Sequence, residues 1–220
     1  LAVERRRAVM VRRAGAAALR FDRRQVLDFA TPYWLLFALC VLWYAVIFAF
    51  RSTFSIKYFQ HAHGLALAAA GAINGAVYAA ALVATPLFGW LADRLGRPAP
   101  MLAVGALLLP LAMLAMMSAA FPLWIGTVLI GISYSLVPAV LWPLAARLVP
   151  GDRLGAAFAL LSVGLNLGIA AANLVAGRLN DHFGAGADNP SGYGPMMLLF
   201  LASGALGFAF ALLLWRAQER

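Results

Sequence analysis

Polar and charged positions fall in brief clusters between long apolar runs at 33–54, 65–91, 99–119, 122–146, 154–177 and 195–215. Each run supplies the ~20 residues that a helix needs to cross a hydrocarbon core. The runs are continuous, not alternating segments of about ten residues, so a closed barrel is excluded. The pattern predicts an all-α membrane protein of six transmembrane helices. Connections are short apart from a polar, Gly-rich loop at 178–195.

The polar residues inside these runs are unevenly shared. Spans three and six carry almost none, and helices apolar all round suit a lipid-facing place. Spans one, two, four and five do carry polar groups, which are costly in hydrocarbon and so belong on the protein interior or against water. In span two, Asn74, Tyr78 and Thr85 lie within about 40° of one another on a helical wheel. Ser162, Asn166 and Asn173 repeat the same spacing in span five. Tyr44, Phe48, Arg51 and Ser55 share a face of span one, and Thr127, Gly131, Tyr134 and Pro138 a stripe of span four with Trp142 beside it. The order polar, polar, apolar thus occurs twice. A three-helix unit used twice, the second copy inverted, produces it, as in many secondary transporters.

Single residues leave alternatives open. An Asn or Ser in a span either hydrogen-bonds a neighbouring helix or lines a polar pathway. Arg51, near the predicted outer end of span one, either snorkels to the interface or meets a substrate carboxylate. Gly71-x-x-x-Gly75 and Gly164-x-x-x-Gly168 are expected to admit close helix contact. Pro138 and Pro143 are expected to loosen span four, since each lacks an N–H and crowds the preceding turn.

Composition agrees with the pattern: 64% of the 220 residues are hydrophobic and 11% charged, against about a quarter charged in soluble domains. A formal charge of +9 would suit nucleic acid, but its distribution does not. Of the 17 Lys and Arg, all but Arg51, Lys57 and Arg178 fall on one side of the membrane if the N-terminus is cytoplasmic. Both termini are therefore expected inside, with no nucleic-acid partner. Residues 1–30 read as a basic cytoplasmic linker or interfacial helix, and 31–220 as the bundle. Cys40, the single cysteine, has no intrachain disulfide partner. The chain starts at Leu1 with no signal-peptide pattern before the first span, and is expected to be a piece of something longer.

The connection between spans two and three reads GWLADRLGRP. Gly89 would permit close helix contact, Gly96 the positive φ of a tight turn, and Asp93, Arg94 and Arg97 a polar clasp to neighbouring helix ends. The stretch resembles motif A of the major facilitator superfamily, G-x-L-x-D-x-x-G-R, through Gly89, Leu91, Asp93, Gly96 and Arg97, with Pro98 where a further basic residue often stands. INGAVYAAALVATPLFGWLADRLGR and GISYSLVPAVLWPLAARLVPGDRLGAAFALLSVGLNLGIAAANLVAG are similar to the lysosomal dipeptide uniporter group of that superfamily and its bacterial relatives.

This resemblance, over roughly 30–215, implies spans seven to twelve of a twelve-helix alternating-access carrier, with the N-terminal half absent as a partner. It implies a cavity lined by spans one and four, through Tyr44, Arg51, Tyr134 and Trp142. Asn74, Tyr78, Asn166 and Asn173 join them as candidates from the polar faces. Asp93, Arg94 and Arg97, between Gly89 and Gly96, would latch the cytoplasmic side near Leu154 and Gly155. The expected solute is a small molecule, dipeptides or similar zwitterions, with no cofactor and no metal. The Arg-rich, Lys-poor composition points to a bacterial inner membrane. The alternative is a non-transporting assembly or sensor subunit built from a half-carrier.

An intramembrane enzyme is disfavoured. GISYS lacks the glycine of a Gly-x-Ser-x-Gly nucleophile, and His61, His63 and His182 fall in predicted loops. His61-x-His63 supplies two metal ligands at most. No carboxylate stands inside a span except Asp93 at a helix end, so a proton relay is missing from this half.

Overall fold

The computed structural model describes residues 28–118 and 120–219, with Asp93 described in its backbone only. The expected basic linker lies, up to residue 27, outside the described residues. Six long helices follow: α1 (Thr31–His63), α2 (Leu67–Leu95), α3 (Pro98–Met117), α4 (Leu123–Arg147), α5 (Leu154–His182) and α6 (Gly194–Gln218). All six are long and apolar enough to cross a membrane.

Three helices outrun their apolar stretches. α1 continues nine residues past a π turn at Phe50–Phe54, through Ser55–His63. α2 runs on through the Gly89–Leu95 segment, and α5 to His182. Hydropathy marks where a helix leaves hydrocarbon, whereas backbone hydrogen bonding carries it on into the polar interface. His61, His63 and His182 are consequently helical, not in loops.

Each helix touches only some of the others. α4 packs on α2 and α3, α1 on α5 and α6, and α3 on α6. The row α2, α4, α3, α6, α1, α5 maps onto itself when each helix is exchanged for the one three places along. Helices three apart in a string of antiparallel spans run in opposite directions, so the two three-helix units are inverted repeats.

Close packing is set by small residues. A Cβ on Gly131 of α4 would come 2.6 Å from Ala80 Cβ and 2.9 Å from the Val77 carbonyl oxygen of α2. In the matching contact, a Cβ on Gly168 of α5 would lie 2.7 Å from Val41 Cγ1 and 3.1 Å from its carbonyl oxygen in α1. Gly164 is equally tight against Phe37. The Gly71/Gly75 pair is different: among the described residues neither has a neighbour within 4 Å of a built Cβ, so no close helix contact is made there.

Within this bundle span three is more enclosed than its all-round apolarity suggested. α3 is the most enclosed of the six helices, while α2 and α5, at the ends of the row, are the least. Leu102, Leu109, Ala112 and Met113 of α3 are fully buried, and exposure is confined to a stripe with Val104, Leu111 and Leu114. Lipid tails and leucine side chains are alike apolar, so apolarity does not tell a lipid-facing helix from a packed one.

Buried polar bonds tie the helices together. Trp43 Nε1 donates to Ser133 Oγ at 2.9 Å, and Ser133 Oγ donates to the Gly105 carbonyl at 2.8 Å, joining α1, α4 and α3. Tyr33 Oη donates to the Ala157 carbonyl at 2.8 Å, fastening the start of α1 to α5. At the far end, Tyr58 Oη reaches the Met116 carbonyl at 3.0 Å, and His61 Nδ1 lies 2.8 Å from Tyr193 Oη.

Candidate solute site

Arg51 lies within the π turn of α1, where the Ser55 N–H bonds to the Phe50 carbonyl five residues back. Such turns are rare and are often found at functional sites. The side chain does not snorkel: Arg51 is only 8% exposed, because α1 continues past it and the guanidinium lies against rings of α2 and α4. Its Cζ sits 4.1 Å from the centroid of the Tyr78 ring and 5.9 Å from that of Tyr134. Its Nε is buried and has no hydrogen-bond partner among the described residues.

An aromatic wall continues from this cation along α1 and α4. Tyr44 stacks on Phe48 at 5.6 Å, Phe48 and Tyr78 each approach Tyr134 at 6.2 and 6.3 Å, and Trp43 stacks on Tyr134 at 6.4 Å. Trp142 Nε1 donates to Tyr44 Oη at 3.2 Å, and the Trp142 ring meets Phe158 of α5 edge-on. Tyr44, Arg51, Tyr78, Tyr134 and Trp142 are thus brought together. Asn74 joins them by donating from Nδ2 to the Arg51 carbonyl at 3.2 Å.

Asn166 and Asn173 stand elsewhere. Each turns its amide back onto its own helix, Asn166 to the Ser162 carbonyl at 2.7 Å and Asn173 to the Ile169 carbonyl at 2.9 Å. Neither touches the Arg51 cluster. Trp43 and Phe158 belong to the wall but were not candidates from sequence; in a chain with 14 Phe and 6 Trp, an aromatic residue alone carries no signal.

The physical character of this site is a desolvated cation without an anion. Cation–π contact returns up to ~2 kcal/mol when desolvated, less than the several kcal/mol per ion that burial costs. Among the described residues no carboxylate pairs with Arg51. An intramembrane cation left in this state makes its surroundings the candidate functional site.

At the α2–α3 connection, Gly96 has φ 61° and closes α2 in the left-handed conformation. The Arg94 guanidinium lies 5.0 Å over the Trp90 ring, and Arg97 directly precedes α3 and is exposed. A Cβ built on Gly89 finds no neighbour within 4 Å among the described residues, which do not make the expected close helix contact there. The Asp93 side chain lies outside the described residues.

Residues 35–220 match the family model described as Major Facilitator Superfamily. The chain is 37% identical over 161 residues to the human protein named lysosomal dipeptide transporter MFSD1, covering 72% of this chain and 34% of that protein. The zebrafish (Danio rerio) protein of that name is 39% identical over 158 residues, 71% of this chain and 34% of its own length. The cattle (Bos taurus) protein is 34% identical over 197 residues, 88% and 40% respectively. The chain therefore spans between a third and two-fifths of the length of these relatives. Six apolar spanning helices, packed as two inverted three-helix repeats, and a family match over most of their length lead to one conclusion: the chain is a multi-pass integral membrane protein of the Major Facilitator Superfamily.

Proposed function

We propose that this chain is the C-terminal half of an alternating-access carrier for small carboxylate-bearing zwitterions, dipeptides among them. The observation that carries the proposal is Arg51, a buried guanidinium with an unpartnered Nε held between two tyrosine rings. A solute carboxylate supplies the missing anion through charge-assisted, geometrically matched bonds. The faces of Tyr44, Trp142 and Tyr134 then receive the rest of the molecule, including an ammonium group attracted to their π faces. The N-terminal half supplies the opposite wall. The likeness to proteins named dipeptide transporters supports the choice of solute class.

In this scheme both termini are cytoplasmic and the membrane is a bacterial plasma membrane. Asp93, Arg94 and Arg97 close the cytoplasmic side when the cavity opens outward, with Gly96 turning the chain between α2 and α3. Asn166 and Asn173, on the least enclosed helix, face the other half.

The test is uptake of labelled alanyl-alanine into proteoliposomes holding the complete carrier. Arg51→Gln is expected to raise KM by roughly 10–150-fold, the loss of a charged hydrogen bond of about 1.5–3 kcal/mol. Saturable uptake with an unchanged KM in Arg51→Gln would sink the proposal.

A further inference from the structure

The carbonyl oxygen of Arg51 accepts two side-chain hydrogen bonds, from Ser55 Oγ at 2.9 Å and from Asn74 Nδ2 at 3.2 Å. The first is local to α1, whereas the second crosses from α2. Tyr78, whose ring carries the Arg51 guanidinium, lies one helical turn beyond Asn74 on the same α2 face. α2 therefore holds Arg51 at two points, its main chain through Asn74 and its side chain through Tyr78.

The need for that hold follows from the π turn. The α1 segment before it is fixed by Tyr33 on α5 and Trp43 on α4; the segment after it is fixed by Tyr58 on α3 and His61 on Tyr193. The wide turn, with its one extra residue, lies between these two anchored segments. One residue corresponds to about 100° of rotation about a helix axis, so a shift of the extra residue along α1 swings Arg51 off Tyr78. Among the described residues, Asn74 is the only side chain from another helix hydrogen-bonded to the main chain of this turn.

We infer that Asn74 is a positioning residue: it pins the π turn of α1 in the register that presents Arg51 to solute, an inference resting on Arg51 as the carboxylate ligand. Because Asn74 and Tyr78 share one rigid helix face, displacement of α2 along α1 breaks both contacts together. The holding of solute is thereby tied to the place of α2.

Hydrogen exchange read by mass spectrometry on the complete protein tests the pin without any solute. Asn74→Ala is expected to speed exchange in peptides spanning 50–55 by about fivefold, the effect of one net hydrogen bond, with α3 and α6 peptides unchanged. Asn74→Leu keeps the shape but has no N–H to donate and brings no charge to Arg51, and is expected to match it. Wild-type exchange at 50–55 in both variants overturns the inference.

Alanyl-alanine uptake then separates the two proposals. Asn74→Ala is expected to raise KM about fivefold with kcat held, and to add little when Arg51 is already Gln. The same fold-change in both backgrounds overturns positioning through Arg51 while leaving Arg51 as ligand. A KM unmoved by Arg51→Gln alone removes the ligand assignment, and the exchange measurement still decides whether Asn74 pins the turn.

Discussion

Replacing Ser133 by Ala isolates one buried polar junction. Ser133 is fully buried and Trp43 is 1% exposed, so no solvent enters to replace a lost bond. The substitution removes one oxygen and little volume, which leaves the cavity penalty small. The Gly105 carbonyl keeps its place in the α3 ladder, because a carbonyl oxygen has two lone pairs. The loss therefore concentrates on Trp43 Nε1, whose 2.9 Å acceptor vanishes. A buried donor left unsatisfied costs about 1–3 kcal/mol, and membrane measurements averaging ~0.6 kcal/mol per hydrogen bond set the lower end. Cys40, one turn before Trp43 and fully buried, reports the consequence. Its labelling by a maleimide, followed by mass spectrometry on the intact protein, requires α1 to open. About 0.6–3 kcal/mol corresponds to roughly 3–150-fold faster labelling in Ser133→Ala. Adding Trp43→Phe removes the orphaned donor as well, so the double variant is expected to label more slowly than the sum of the two single effects predicts. Unchanged labelling in Ser133→Ala, or strict additivity in the double variant, would refute the junction as a source of stability.

Two further outcomes are expected from thermal unfolding in detergent. Gly131→Ala and Gly168→Ala should each destabilise by about 1–3 kcal/mol through overpacking, because the new Cβ meets a backbone carbonyl of the facing helix at 2.9 and 3.1 Å; unaltered stability in both would contradict the α2–α4 and α1–α5 contacts. Gly96→Ala should cost roughly 1–2 kcal/mol, since φ at 61° strains any residue with a Cβ, while Gly89→Ala, helical and uncrowded, should cost nothing. Equal losses at these two positions would show that the turn is not built as described.

Much of the fold was legible from local pattern. Desolvation of the backbone forces any long apolar run in a bilayer into a helix, so hydropathy alone gave six spans in antiparallel order, and the twofold recurrence of polar, polar, apolar announced the repeat. Gly96 likewise stood out as a turn because its requirement is confined to one residue's φ. The helix ends were less legible: Ser55–His63 and Arg178–His182 are helical beyond the apolar runs, since main-chain bonding does not stop where hydropathy does.

What each face touches had to wait for the tertiary structure. Side chains of α3 are as apolar as lipid, so nothing in their chemistry distinguished a packed helix from a peripheral one. Gly71-x-x-x-Gly75 and Gly164-x-x-x-Gly168 are alike in sequence, yet only the second meets Phe37 and Val41. Tyr44, Arg51, Tyr78, Tyr134 and Trp142 were visible one helix at a time as polar faces. Their convergence depends on a π turn, which shifts the phase of α1 by a residue, and on Tyr78 and Asn74 arriving from α2. Sequence therefore determined which segments cross the membrane and in what order, because transfer of the backbone into lipid is decided segment by segment. The burial of Arg51 was decided only by tertiary structure, because shape and helix phase, unlike hydropathy, are properties of pairs of surfaces.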